Sequence, residues 1–398
     1  MLKRGIIISM ALVILVIAIT GGVLLGLRLE QGASGTTTTT PTAATATTTT
    51  APAFTATGLL HVEGTQLIDA AGHPVTLHGA QIESPFNYMK SWEQGKQPSV
   101  TLNSSVFNVM VHDWKMNVLR LPTSNWIYAK YPADYLNKLD QVVQQANAAG
   151  LYVVLDLHDT NQGGSPYGKV ATLPKTEDVA YWKIIAAHYK NNPMVLFDMY
   201  NEPQYQNWDS WQHGGGTVGG ATVVGMQDLV DAVRSVGAKQ IIVLEPGSAG
   251  KNVPGLDAAE EGGWTTIGSH IINDPNIMYS LHVYDKVSLS PQQQDAKWGP
   301  ILNHFPLYYG EWAFLPNANI PAHCRGVSHD QADQVVQAFL NYMDSRHANW
   351  SAWDFSPPHL IQNYTNFTPT SLDVPWTCGD TNVVAGMGQI VKQHLTGQ

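Results

Sequence analysis

Short apolar runs recur along the second part of this chain, with helix-patterned segments between them. The runs cover 75–81, 117–121, 152–157, 195–200, 240–244, 277–282, 307–310 and 350–355, and each reads as a buried strand. Between them, 132–149 places Tyr135, Leu136, Leu139, Val142, Val143 and Ala146 at helical spacing and ends at Gly150, a glycine C-cap. Segments 178–189, 226–236 and 331–346 are patterned alike, the second followed by Gly237. Strands alternating with helices predict βαβ units and a parallel sheet. Eight such strands in about 340 residues predict an α/β fold, a (β/α)8 TIM barrel with some long loops. An open doubly wound sheet is the alternative. It usually brings a Gly-rich phosphate loop after its first strand, and none stands here. Residues 59–77 open the domain as a hairpin-like segment turning at Ala70-Ala71-Gly72-His73-Pro74.

The first 57 residues follow another pattern. Lys3 and Arg4 precede an uncharged apolar run from Gly5 to Leu27. That is longer than the about 7–15 residues of a signal-peptide core and close to the roughly 20 that span a bilayer. Basic residues on the N-terminal side keep that end in the cytoplasm. Residues 1–30 are therefore expected to form an uncleaved signal-anchor. A cleaved signal peptide is the alternative, with Ala33-Ser34-Gly35 offering small residues for cleavage. Residues 31–57, almost all Thr, Ala and Pro from Thr36 on, cannot bury a core and are expected to be a disordered tether. The barrel then spans 58–398, on the extracellular face of the membrane or secreted. In that compartment a disulfide between the two cysteines, Cys324 and Cys378, is expected over two free thiols.

Charge narrows the partners. The chain has 21 basic against 31 acidic residues, a formal charge of -10, and no Lys/Arg cluster in its soluble part. Nucleic acid is not an expected partner. Twelve Trp and 16 Tyr supply core, and any surplus near loops suits the flat apolar faces of sugar rings. No His-Glu-x-x-His zinc motif and no Gly-x-Ser-x-Gly elbow occurs, so neither metal hydrolysis nor serine esterase chemistry has support. No metal and no cofactor is expected, and the chain is expected to act as a monomer.

The chemistry stands at strand ends, where a barrel of this kind builds its active site. The second strand carries Arg120, and the third ends in Asp156-Leu157-His158-Asp159. The fourth leads into Asn201-Glu202-Pro203 and the sixth into His282-Val283-Tyr284. The seventh leads into Gly310-Glu311-Trp312, and Trp353 lies on the eighth. Carboxylates are almost never buried without a reason. Two of them at the ends of buried strands suggest the paired-carboxylate site that hydrolysis of a glycosidic bond requires. Singly, each residue has a plain explanation: Arg120 could pair locally, His158 and His282 could be satisfied core histidines, and Trp353 could be packing. Their joint placement favours chemistry.

This set resembles glycoside hydrolase family 5, the cellulase family, over essentially all of residues 58–398. The stretch from His61-Val62-Glu63-Gly64 to Leu77-His78-Gly79-Ala80 resembles the family's usual opening. The resemblance implies Glu202 as acid/base and Glu311 as nucleophile. It implies Arg120, His158, Asn201, His282, Tyr284 and Trp353 as the remaining site positions. In a retaining enzyme of this kind Glu311 attacks the anomeric carbon, with Arg120 and the Tyr284 hydroxyl bonded to it. Glu202 gives a proton to the leaving oxygen, its pKa expected to be raised by the nearby charge on Glu311. Asn201 is placed for the sugar 2-OH, the two histidines to orient carboxyls or bind hydroxyls, and Trp353 as a floor under the reacting ring. β-1,4-Glucan is the substrate implied by the family, with mannan, xyloglucan or β-1,3-linked glucan, exo cleavage and transglycosylation open. The rivals are a carbohydrate-binding barrel without turnover and a cell-wall structural protein. Glu245, in Leu244-Glu245-Pro246-Gly247, also ends a strand; it could contact the site or the substrate, and a structural turn is the favoured reading. Residues 214–220 are read as a mobile glycine loop beside the cleft. Trp208 and Trp211 before it are sugar contacts or core packing with equal weight. Glu260-Glu261 is read as a solvated pair.

Overall fold

The computed structural model describes residues 58–83, 85–98, 102–159, 173–205, 207–246, 264, 267–284, 286–316, 324 and 326–398. The expected signal-anchor (1–30), the tether (31–57) and the Glu260-Glu261 pair lie outside the described residues. Among the described residues no helix is long and apolar enough to cross a membrane.

The described residues begin with three short strands, β1 (His61–Glu63), β2 (Gln66–Ile68) and β3 (Pro74–Val75), paired antiparallel in the order β1-β2-β3. The expected hairpin is thus a three-stranded sheet. β4 (His78–Gln81), β5 (Val118–Ser124), β6 (Tyr152–Asp159) and β7 (Val195–Asp198) follow, then a two-stranded hairpin of β8 (Thr217–Val218) and β9 (Ala221–Thr222). β10 (Ile242–Leu244), β11 (Ile277–Val283), β12 (Leu307–Trp312) and β13 (Asn349–Ala352) complete the set. β4 to β7 and β10 to β13 close into one parallel eight-stranded barrel, β13 returning to β4 through Trp350 opposite His78. All eight apolar runs became barrel strands. The hairpin of β8 and β9 occupies the segment read as a mobile loop, which is a correction.

The helix at Pro132–Ala149 has the bounds its spacing implied. Pro132 sits in its first turn, and Gly150 at φ 108° closes it in the left-handed region. The helices at Thr176–Tyr189, Met226–Ser235 and His329–Ser345 match their patterns to within two residues at each end. Cys324 and Cys378 are joined in a disulfide.

Strand periodicity sorts side chains into two environments. Leu119, Leu121, Val153, Leu155, Phe197, Ile242, Leu244 and Leu281 pack in the large cluster with the helices. Val118, Tyr152, Val154, Leu196, Val243, Met278 and Tyr308 form a separate apolar cluster with Leu60, just before the small sheet, and Leu67 within it. That cluster is the filled lower layer of the barrel, closed by the segment that opens the domain. Two residues further along each strand the same inward face turns polar. Val118 leads to Arg120, Val154 to Asp156 and His158, and Leu196 to Asp198. Val243 leads to Glu245, and Met278 to Ser280 and His282. On β12 the register shifts near Gly310, and the inward position passes from Tyr308 to Glu311. Glycine is required at that shift. A Cβ on Gly310 would lie 2.5 Å from Ser280 Oγ and 3.3 Å from His282 Nε2.

Candidate active site

Arg120 is the centre of the polar layer, and its side chain is fully buried. Its Nε donates to Asp198 Oδ2 at 2.9 Å and Nη1 to Glu311 Oε1 at 2.7 Å. Nη2 donates to Asn201 Oδ1 and to Glu245 Oε1, each at 3.1 Å, and lies 3.1 Å from Asp156 Oδ2. Nη1 also donates to Gln81 Oε1. A planar five-donor fork suits this task, because one side chain can orient several carboxylates at once. Burial opposes its charge, yet Asp156, Asp198, Glu311 and Glu245 outweigh that and hold its pKa well above the usual range.

The two catalytic candidates face each other across this hub. A carboxylate oxygen of Glu202, one of Glu311 and a ring nitrogen of His282 all lie within 4.8 Å of one another. Glu311 is nearly sealed, with 4 % of its side chain exposed, while Glu202 is half-buried at 38 %. Glu311 receives Arg120 on Oε1 and the Tyr284 hydroxyl on Oε2, the latter at 2.5 Å. Burial and then Glu311 push the Tyr284 hydroxyl well above its ordinary pKa, so it stays a donor. Glu202 bonds His282 Nδ1 through Oε1 at 2.9 Å, and His282 Nδ1 lies 3.6 Å from Glu311 Oε2. Glu202 adopts φ 45°, an uncommon conformation for a non-glycine residue and one that is found where neighbours over-determine it.

Electrostatics depart from expectation at Glu202. Partial burial pushes its pKa up, but the bond and charge of His282, with His158 and Arg120 behind it, outweigh that and lower it. His282 moves the other way. Burial opposes its charge, while Glu245, Glu311 and Glu202 raise its pKa well above the ordinary value. The raised Glu202 expected from the charge on Glu311 is therefore corrected. A buried imidazole among three carboxylates is the stronger influence. His158 Nδ1 pairs with Asp156 Oδ2 at 2.7 Å, and Asp156 raises its pKa against the opposing effect of burial. Burial first, then Glu245 and Asp156, drives Asp198 well above the usual carboxylate range despite Arg120.

Seven of the eight expected residues thus fall in one bonded cluster: Arg120, His158, Asn201, Glu202, His282, Tyr284 and Glu311. Trp353 stands beside it, half-buried, its backbone N–H donating to the carbonyl of Trp312 at 2.9 Å. Three acidic members were missed as site residues. Asp156 and Asp198 carry a readable signal, since each is a carboxylate inside an apolar run and in phase with the inward face. For Glu245 the turn was favoured over a contact to the site; instead it is fully buried, bonded to Arg120 and to the Glu202 backbone N–H, and its Oε1 lies 3.0 Å from His282 Nε2. Trp208 and Trp211 resolve toward packing. Both are buried against Trp264, and the Trp211 indole N–H donates to the carbonyl of Glu245.

Known proteins resemble this chain. A family model described as Cellulase (glycosyl hydrolase family 5) matches residues 68–358. The chain is 24 % identical over 349 residues to endoglucanase E-5 of Thermobifida fusca, covering 85 % of this chain and 64 % of that protein. It is 26 % identical over 300 residues to an endoglucanase of Paenibacillus polymyxa, covering 68 % and 71 % respectively. Among solved structures, the β-glucanase SdGluc5_26A of Saccharophagus degradans aligns with a TM-score of 0.62 at 20 % identity, over 85 % of this chain and 93 % of that one. The same β-glucanase in complex with cellotetraose aligns with a TM-score of 0.61 at 19 % identity, over the same shares of each chain. These structural likenesses show the barrel fold.

Proposed function

The chain belongs to the cellulase family, glycosyl hydrolase family 5, and from that premise we propose that this glycosyl hydrolase is a retaining endo-β-1,4-glucanase. The observation that supports the reading best is the close approach of Glu202 and Glu311, with carboxylate oxygens within 4.8 Å. Retaining enzymes set their carboxyls about 5–5.5 Å apart, whereas inverting enzymes leave about 6.5–9.5 Å for a water.

Each step has a residue suited to it. Glu311 attacks the anomeric carbon; Arg120 and Tyr284 hold its two oxygens so that one lone pair faces the sugar. Glu202, the more exposed carboxyl, delivers the proton to the leaving oxygen, drawing it along the Oε1–Nδ1 bond with His282. After the glycosyl-enzyme forms, the same pair takes a proton from water. Asn201 gives its Oδ1 to Arg120, which leaves its amide donors for the 2-OH, a bond that tightens in the transition state. Trp353 offers a face to the ring in the reacting subsite.

The names of relatives support this substrate: endoglucanases in Thermobifida fusca and Paenibacillus polymyxa, and a β-glucanase whose structure holds cellotetraose. We propose further that residues 1–30 anchor the protein and 31–57 space a monomeric barrel from the outer face of the membrane. This rests on the sequence pattern alone. The test is a panel of soluble β-1,4-glucan, β-1,3-glucan, mannan and xyloglucan with product sizing over time. Endo-β-1,4-glucanase action gives an early ladder of mid-sized oligomers from the first substrate. Release of a single short product from the outset, turnover confined to another glycan, or binding without reducing-sugar release would contradict it.

A further inference from the structure

Glu245 follows β10 and has no part in the double displacement, yet it touches three members of the catalytic cluster. Its Oε1 accepts from Arg120 Nη2 at 3.1 Å and lies 3.0 Å from His282 Nε2. Its Oε2 accepts the backbone N–H of Glu202 at 2.7 Å. Its side chain is fully buried, so it meets no substrate. We propose that Glu245 is a positioning residue that keeps His282 protonated on Nε2, and so makes the His282 Nδ1–Glu202 Oε1 bond the place where the acid proton is stored. The inference rests on the assignment of Glu202 as acid/base.

The chemistry of imidazole carries it. A bare Nε2 lone pair 3.0 Å from a carboxylate oxygen would meet repulsion, so the contact favours hydrogen on Nε2 although it is not aligned as a hydrogen bond. One further proton is then shared between Nδ1 and Glu202 Oε1. That proton is the one glycosidic cleavage consumes. The same carboxylate fixes the backbone of Glu202 at its positive φ, so a single side chain sets both the aim of the acid and the state of its partner.

The groups around the pair decide the sign. His282 is faced by Glu202 and Glu311 as well as Glu245. Glu202 is faced by His282, His158, Arg120 and Tyr284, and Asp156 and Asp198 reach the cluster through Arg120. Loss of the shared proton makes the pair more negative. The Glu245 charge opposes that loss, so removing it lowers the pH at which the proton leaves.

The experiment compares the full chain with its Glu245→Gln and Glu245→Asp variants on an aryl cellobioside across pH. Glu245→Gln is expected to move the alkaline limb of kcat/KM acidward by about one to two units, as loss of a charge near 3 Å from the pair implies, with KM nearly unchanged. Glu245→Asp keeps the charge and is expected to hold the limb near the wild-type position. An unmoved limb in Glu245→Gln, with activity lost equally at every pH, overturns the proposal and leaves Glu245 a structural residue. A measurement on the wild type covers the case in which Glu245→Gln does not fold. With ¹⁵N-histidine labelling and His282→Asn for assignment, Nε2 is expected to carry hydrogen throughout the active pH range; a bare Nε2 overturns the proposal. Neither readout depends on which glycan is the natural substrate. Failure of the acid/base assignment itself would show separately, as Glu202 variants that still cleave unactivated glucan.

Discussion

Replacing Arg120 with methionine removes the hub while filling most of its volume. Four carboxylates, of Asp156, Asp198, Glu245 and Glu311, then face one another around an apolar side chain at positions now 2.7 to 3.1 Å from a guanidinium nitrogen. Removing one partner of a buried ion pair costs about 3–5 kcal/mol. With four partners stranded, the upper end of that range is expected for Arg120→Met at pH 8. The sign of the pH dependence follows from linkage. Burial raises the Asp198 pKa even with Arg120 beside it, and loss of that counter-charge raises it further. A carboxyl whose folded pKa is raised binds extra protons in the folded state. Its stabilising contribution is fully present below the unfolded pKa and fades as pH rises through the folded one. The variant should therefore recover stability on acidification. One extra proton held over one to two pH units is worth about 1–3 kcal/mol. Urea unfolding of wild type and Arg120→Met, followed by tryptophan emission at pH 8 and pH 5, measures both quantities. A loss under about 1 kcal/mol, or one that is the same at both pH values, would refute the reading of Arg120 as the charge that holds this cluster together.

Other outcomes follow from single contacts. Glu202→Gln is expected to lose about 10²–10⁴ in kcat on unactivated glucan, the usual worth of a general acid. It should lose far less in the first step with a dinitrophenyl leaving group, which a burst experiment reads. Tyr284→Phe removes a hydroxyl donor from Glu311. At about 1.5–3 kcal/mol for a bond to a charged group, kcat/KM should fall roughly 10- to 150-fold with the fold intact by circular dichroism. Changing both Cys324 and Cys378 to serine opens a loop of 54 residues separation. The chain-entropy estimate is a loss of about 4 kcal/mol, checked by denaturant unfolding.

The barrel was legible because its strands are buried on both faces and read as apolar runs, and because turn glycines such as Gly150 punctuate the helices. The close carboxylate pair was legible for the opposite reason: a carboxylate at the end of such a run has no packing purpose. What escaped was the layer beneath. Asp198 sits inside an apolar run and was absorbed into it, although its phase with Leu196 points it inward. Glu245 sits before Pro246-Gly247, and turn chemistry masked it. Its significance depends on His282 and Glu202, which lie 37 and 43 positions away along the chain. Local pattern carries no information about such partners. The lowered pKa of Glu202 was hidden for the same reason, since it depends on which nitrogen of His282 meets which carboxylate.

The pairing of Glu202 and Glu311 as acid/base and nucleophile of a double displacement is tested most directly by stereochemistry. Proton NMR recorded during the first minutes of hydrolysis of a β-1,4-gluco-oligosaccharide, before mutarotation, reports the anomer released. Two carboxyls this close give the β-anomer first, with the α-anomer growing in only as the sugar equilibrates. The α-anomer as first product would contradict the assignment of Glu311 as nucleophile.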